Sequence, residues 1–150
     1  MNIIEVLQKY NYTIATAESI TAGLISSSIA NISGSSKYLK GGVCVYTKEA
    51  KCKLLNLNMS DIEKNGVYSY QTAINMAKGI KNILQSDIAV STTGVAGPGS
   101  DEGIEPGTVY FGFIINNKEY TECVKFTGNR NEVRNKAVDY ALEKIIELLD

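Results

Sequence analysis

The sequence predicts an α/β fold, a three-layer α/β/α sandwich around a mixed sheet, in a single domain spanning residues 1–150. Three observations point there. Stretches with strand-like alternation are interleaved with stretches whose apolar residues recur at helical spacing. A length of 150 residues is that of one ordinary domain with one core. Finally, "TVYFGFII" and "EYTECVKF" flank Asn116-Asn117-Lys118 and read as an antiparallel hairpin, added to strands that are otherwise separated by helices.

The elements follow in order. "NIIEVLQKY" carries Ile3, Leu7 and Tyr10 on one helical face, so a first helix should cover the sheet. "YTIATA" alternates as a strand, and from about Thr21 "TAGLISSSIANI" returns to helical spacing. "SGSSKYLKGG" is rich in turn formers and leads into the strand "GVCVY". "TKEAKCKLLNL" can start with Thr47 as its N-cap, and Ser60 with Glu63 gives "SDIEKNG" the signature of a capping box. "QTAINMAKGIKNIL" places Ile74, Ala77, Ile80 and Leu84 on one stripe and feeds the strand "DIAVSTTG". After the hairpin, Asn129 and Glu132 can cap a last helix whose buried stripe is Val133, Ala137, Ala141, Ile145 and Leu148. One long irregular segment remains, Gly94 to Gly107, and loops of that length in compact domains tend to carry function.

Composition narrows the chemistry. Fifteen basic and sixteen acidic side chains leave a net charge of −1, without the basic excess of a nucleic-acid binder. The sequence shows neither a signal peptide nor an apolar run long enough to span a membrane, so no membrane partner and a cytoplasmic location are expected. Cys44, Cys52 and Cys123 lack metal-ligand spacing and read as buried thiols in a reducing compartment, with no metal and no cofactor. There is no histidine. The commonest general base and the commonest metal ligand are therefore missing, and hydrolytic chemistry would have to use lysine, tyrosine or carboxylates.

Against that background Ser19 stands out, because it lies where a strand gives way to a helix, a place whose free N–H groups favour developing negative charge. On sequence alone a serine before an apolar helix reads first as its N-cap, a role that does not exclude catalysis. A serine nucleophile without histidine needs a lysine of lowered pKa, and Lys51 follows "GVCVY" by about one helical turn, at the sheet end where Ser19 should emerge. Tyr46, at the same strand end, could pass a proton or orient the lysine, or be an ordinary half-buried tyrosine. "TTGVAGPG" brings Thr93 and Gly94 to another strand end, with glycines that allow close backbone approach to an anion. It is neither a Walker loop nor a Rossmann fingerprint. Arg130 sits at the start of the last helix, where a guanidinium opposes the helix dipole and a role in clamping phosphate or carboxylate is favoured.

Four segments, "TAESITAGLISSSIANISGSS" from Thr16, "GGVCVYTKEAKCKLLNL" from Gly41, "STTGVAGPGSDEGIEPGTVYFG" from Ser91 and "FTGNRNEVR" from Phe126, together resemble the CinA C-terminal domain family. Its free-standing members are PncC-type nicotinamide mononucleotide deamidases. The resemblance implies hydrolysis of the carboxamide of nicotinamide mononucleotide to nicotinic acid mononucleotide and ammonia, in NAD recycling. It further implies Ser19 as nucleophile, Lys51 and Tyr46 as its proton-handling partners, and Thr93 and Arg130 as substrate-binding or orienting residues. Thr21, Ala22, Gly23, Gly34, Ser35 and Gly94 are expected around the substrate, with N–H groups from Thr21 to Gly23 stabilising the oxyanion.

Two departures accompany the resemblance. The family usually reads Glu-Ser-Cys-Thr-Gly-Gly where this chain has Glu18-Ser19-Ile20-Thr21-Ala22-Gly23, and the methyl of Ala22 is expected to narrow the pocket or disturb an oxyanion-binding N–H. Tyr70 stands where the family commonly carries an acidic residue, which bears on substrate preference. Longer members have an N-terminal domain resembling molybdopterin-binding folds, whose functions are not expected here. A catalytically weakened nucleotide-binding or regulatory domain and a serine amidase for another small amide remain the alternatives, and a homo-oligomer stays open.

Overall fold

A computed structural model describes all residues, 1–150. The elements run α1 (Ile3–Tyr10), β1 (Ile14–Glu18), α2 (Leu24–Ala30), a short 3-10 turn (Ser35–Lys37), β2 (Leu39–Cys44), α3 (Lys48–Leu55), α4 (Met59–Asn65), α5 (Tyr70–Leu84), β3 (Ile88–Gly94), β4 (Thr108–Ile115), β5 (Lys118–Lys125) and α6 (Arg130–Leu149). The five strands form one sheet in the order β2-β1-β3-β4-β5. β2, β1 and β3 are parallel, and β4 and β5 are antiparallel to their neighbours, so the sheet is mixed as the hairpin predicts.

Alternation along the strands divides the interior into two layers. Ile14 of β1, Ile88 and Val90 of β3, and Phe111 and Phe113 of β4 pack against α1, α2 and α6. Ala15 and Ala17 of β1 and Ala89 of β3 turn the other way, toward Met76, Ala77 and Ile80 of α5 and Leu55 of α3. That is the three-layer sandwich, and β1 and β3 are buried on both faces, as central parallel strands are. No helix is long and apolar enough to cross a membrane.

Local signals behave unevenly. Asn129 and Glu132 form the expected capping box of α6, and Thr47 caps α3 by accepting from Ala50 N–H. The box expected at Ser60 and Glu63 does not form: Asn58 caps α4, and its side chain takes the N–H and hydroxyl of Ser60. Helix α2 starts at Leu24 rather than Thr21, behind Ala22 at φ 47° and Gly23 at φ 95°. The cysteines are not buried as expected. Cys44 and Cys123 are exposed and Cys52 is intermediate, because β2 and β5 are the edge strands and both residues fall on the outward register.

Candidate active site

The parallel strands bring three chain segments to one edge. β1 ends at Glu18, paired with Cys44 of β2 and Thr92 of β3, so Ser19, Val45 and Thr93 follow side by side. β1 is the strand from which the chain first moves to one neighbour, β2, and later returns to the other, β3. Crevices at such switch points are where open α/β sheets bind ligands.

Here Lys51, one turn into α3, reaches back under the sheet edge. Its Nζ lies 3.1 Å from Ser19 Oγ and 2.9 Å from the carbonyl oxygen of Val45. Lys51 is only 1% exposed and forms no ion pair with a carboxylate. Burial without a counter-ion penalises the ammonium, and its pKa is lowered from 10.5 to about 8. Ser19, 6% exposed, therefore faces an amine that is partly neutral near physiological pH.

A cavity of about 440 Å³ opens over this pair. Its wall includes Ser19, Ile20, Lys51, Tyr46, Gly94 and Arg130, so five of the residues singled out in the sequence, Ser19, Lys51, Tyr46, Gly94 and Arg130, meet in one place. Arg130 donates to the carbonyl of Gly97 at 2.7 Å and to the hydroxyl of Tyr46 at 2.8 Å. Tyr46 is 58% exposed and bonds to neither Ser19 nor Lys51, which meet directly; of the two expected routes, direct or through Tyr46, only the direct contact is present.

The other expected binding residues lie behind the wall or away from it. Thr93 is fully buried and donates to the carbonyl of Val67, a cavity residue, so it supports the site from below. Gly34 packs beside Ile4 of α1, and the Ser35 hydroxyl donates to the carbonyl of Ala30, both outside the cavity. Thr21, Ala22 and Gly23 do not line it either, so the Ala22 methyl does not narrow it. Tyr70 is exposed and packs edge-on against Tyr110, also outside the cavity.

Glu18 is the residue whose place the sequence leaves unexplained. The alternation that sends Ala17 toward α5 sends Glu18 to the other face, fully buried beneath α2. It accepts from Ile25 N–H at 2.8 Å and Ser26 N–H at 3.0 Å, and from the hydroxyls of Thr16, Thr21 and Ser26. The positive end of the α2 dipole, expected to act on Ser19, is thus occupied by this side chain, which caps the helix from a neighbouring strand. Ser19 is accordingly not the N-cap; Gly23 holds that position without a side-chain bond.

Four cavity residues went unnoticed in the sequence. Lys48 and Glu102 bridge α3 and the long loop at 2.9 Å. The Tyr68 hydroxyl donates to Asp101 at 2.5 Å, and burial together with the neighbouring carboxylate pushes its pKa far up. With Arg130 on Gly97, these contacts fasten the loop to α3, to the connection between α4 and α5, and to α6. No local pattern announces them, since each partner is more than thirty residues away in sequence.

The profile of the CinA C-terminal domain matches residues 1–149. A CinA-like protein of Petrotoga mobilis is 39% identical over 99% of this chain, and a protein of Shouchella clausii named as competence-damage inducible is 43% identical over 95%. The chain spans 37% and 34% of the length of these two relatives. Among solved structures, a CinA superfamily protein from Klebsiella pneumoniae superposes with a TM-score of 0.96 at 27% identity, covering 98% of this chain and 92% of that one. One from Escherichia coli gives 0.95 at 29%, covering 97% and 86%. A sequence match over all but the last residue, on a backbone shared this closely, makes this chain a member of the CinA C-terminal domain family.

Proposed function

We propose that this domain is a serine–lysine amidohydrolase that deamidates nicotinamide mononucleotide. The observation that carries the reading is the buried Lys51 amine 3.1 Å from Ser19 Oγ, without a carboxylate to hold it charged. A lysine confined this way serves as a general base, and a serine without histidine needs one. The substrate rests on the family resemblance of the sequence, and a cavity of about 440 Å³ is of a size for one mononucleotide. Arg130, with no carboxylate partner, is the cation available to a phosphate there.

In this mechanism neutral Lys51 takes the Ser19 proton as Oγ bonds to the carboxamide carbon, and the carbonyl oxygen becomes an oxyanion. As the C–N bond breaks, Lys51 returns that proton to the departing nitrogen and ammonia leaves an ester on Ser19. A water molecule then attacks the ester, giving a proton to Lys51, and the proton returns to Ser19 Oγ as the acid is released. Tyr46 and Arg130 orient the substrate without entering the proton path.

The test is ammonia release from nicotinamide mononucleotide, with nicotinamide, nicotinamide riboside and glutamine as comparison amides. Ser19→Ala should abolish release while the protein stays folded. Turnover by Ser19→Ala at the unsubstituted protein's rate would refute the nucleophile, and preference for another amide would refute the substrate.

A further inference from the structure

The cavity wall carries five charged side chains, Lys48, Lys51, Arg130, Asp101 and Glu102. Three of them have fixed tasks. Lys51 is buried against Ser19 and the carbonyl of Val45, where its ammonium is disfavoured. Asp101 takes the hydroxyl of Tyr68. Arg130, the cation of the proposed phosphate site, donates only to neutral oxygens, those of Gly97 and Tyr46. Lys48 and Glu102 remain, paired with each other at 2.9 Å, their side chains 36% and 34% exposed.

A phosphomonoester near neutral pH carries about −1.5 to −2 charge on three strong acceptor oxygens. With Lys51 neutral, the wall sets Arg130 and Lys48 against Asp101 and Glu102, so it offers a dianion no net positive charge while Lys48 stays with Glu102. That pairing is weak, because an ion pair so near the solvent contributes little, and an acceptor of higher charge displaces the carboxylate at small cost. Lys48 is placed for the exchange. Arg130 joins Tyr46, just before α3, to Gly97 of the long loop, and Lys48, at the start of α3, joins the same stretch of chain to Glu102 of that loop. The two cations thus bridge one pair of chain segments, and the lysine ammonium sits on a flexible stem.

We propose that Lys48 is a specificity-determining residue for a phosphomonoester: its ammonium leaves Glu102 for the phosphate held by Arg130, and Glu102 competes with that phosphate for the same cation. The inference deepens the proposed function and rests on its phosphate-bearing substrate, not on its serine chemistry. It names the side chain that tells the mononucleotide from its riboside.

Lys48→Gln and Glu102→Gln test it together, because both remove the same bridge. Were the bridge only a fastening of the loop, the two variants would behave alike; with Glu102 as a competitor they move in opposite directions. Inorganic phosphate, titrated by calorimetry near neutral pH at constant ionic strength, reads this without any amide. Lys48→Gln should bind phosphate about tenfold more weakly than the wild type, as for a lost hydrogen bond to a charged group. Glu102→Gln should bind it about two- to fivefold more tightly, the worth of an exposed ion pair, and the double variant should follow Lys48→Gln. In turnover, the ratio of kcat/KM for nicotinamide mononucleotide to that for nicotinamide riboside should fall about tenfold in Lys48→Gln and rise in Glu102→Gln. Weaker phosphate binding in both variants, wild-type affinity in Lys48→Gln, an unchanged ratio, or no phosphate binding by the wild-type protein would each overturn the assignment. Phosphate binding in the expected order without ammonia release from either compound would reject the deamidase reading and leave the role of Lys48 standing.

Discussion

At the scale of single residues, the proposed role of Lys51 as general base sets a pH expectation. Its pKa is lowered from 10.5 to about 8 by burial, so kcat/KM for ammonia release should rise with pH through an inflection near 8. The same shift acts on stability. Between about pH 8 and 10.5 the unfolded chain holds this proton and the folded one has released it, so folding is favoured more as pH rises. Below pH 8 both states are protonated and the cost of burying the charge is complete. Lys51→Met should therefore be inactive yet melt at or above the wild-type temperature at pH 7, with that advantage shrinking toward pH 10; thermal melts across pH check it. Ala22 provides a second residue-scale expectation. Its φ of 47° strains any side chain, and it does not line the cavity, so Ala22→Gly should stabilise by about 0.5–1 kcal/mol in urea titration with unchanged kcat. Loss of activity in that variant would return the turn to the catalytic wall. Ser19 and Lys51 were legible as partners because strand order alone places them at one sheet edge. Glu18 was not: its meaning depends on a helix end that the chain reaches only after a turn.

At the scale of elements, α6 does more than close the core. Arg130 and Arg134 lie in its first turns and reach the loop and the turn that follows Ser19 respectively. Their placement depends on the Asn129–Glu132 capping box. Asn129→Ala should cost about 1 kcal/mol of stability. It should also lower kcat/KM, since fraying loosens both guanidinium groups; full activity in a destabilised Asn129→Ala would separate the helix end from the site. The capping box and Thr47 cap were readable because N-caps are local patterns. The start of α2 was not, because its cap comes from β1 and leaves no serine, threonine or aspartate at the helix boundary. The cysteines were misjudged for a related reason. An apolar neighbourhood in sequence does not tell an edge strand from a central one, and only sheet order puts β2 and β5 at the margins.

Over the whole molecule, Ser19 and the cavity wall belong to regions of different permanence. β1 is flanked by strands on both sides and covered on both faces, and Ser19 is bonded into it through Thr92. The loop from Val95 to Gly107 lies outside the sheet and is fastened by exposed or half-exposed contacts, the Lys48–Glu102 pair among them. Amide hydrogen exchange should be slow through Ile14–Glu18 and faster by orders of magnitude through residues 99–103. Equal protection in the two segments would contradict this division. The three-layer architecture was legible throughout, from the periodicity of strands and helices. The loop's fastenings were not, being pairings over long sequence distances with no local signature.

The Lys48–Glu102 bridge is the one ionic fastening between α3 and the loop. Ions in solution screen a pair so near the surface, over a distance of about 8 Å at physiological strength. Salt would thus loosen the rim of the cavity while Ser19 and Lys51 stayed in register, so a small molecule held there could depart by a local parting of the rim rather than by any disturbance of that pair.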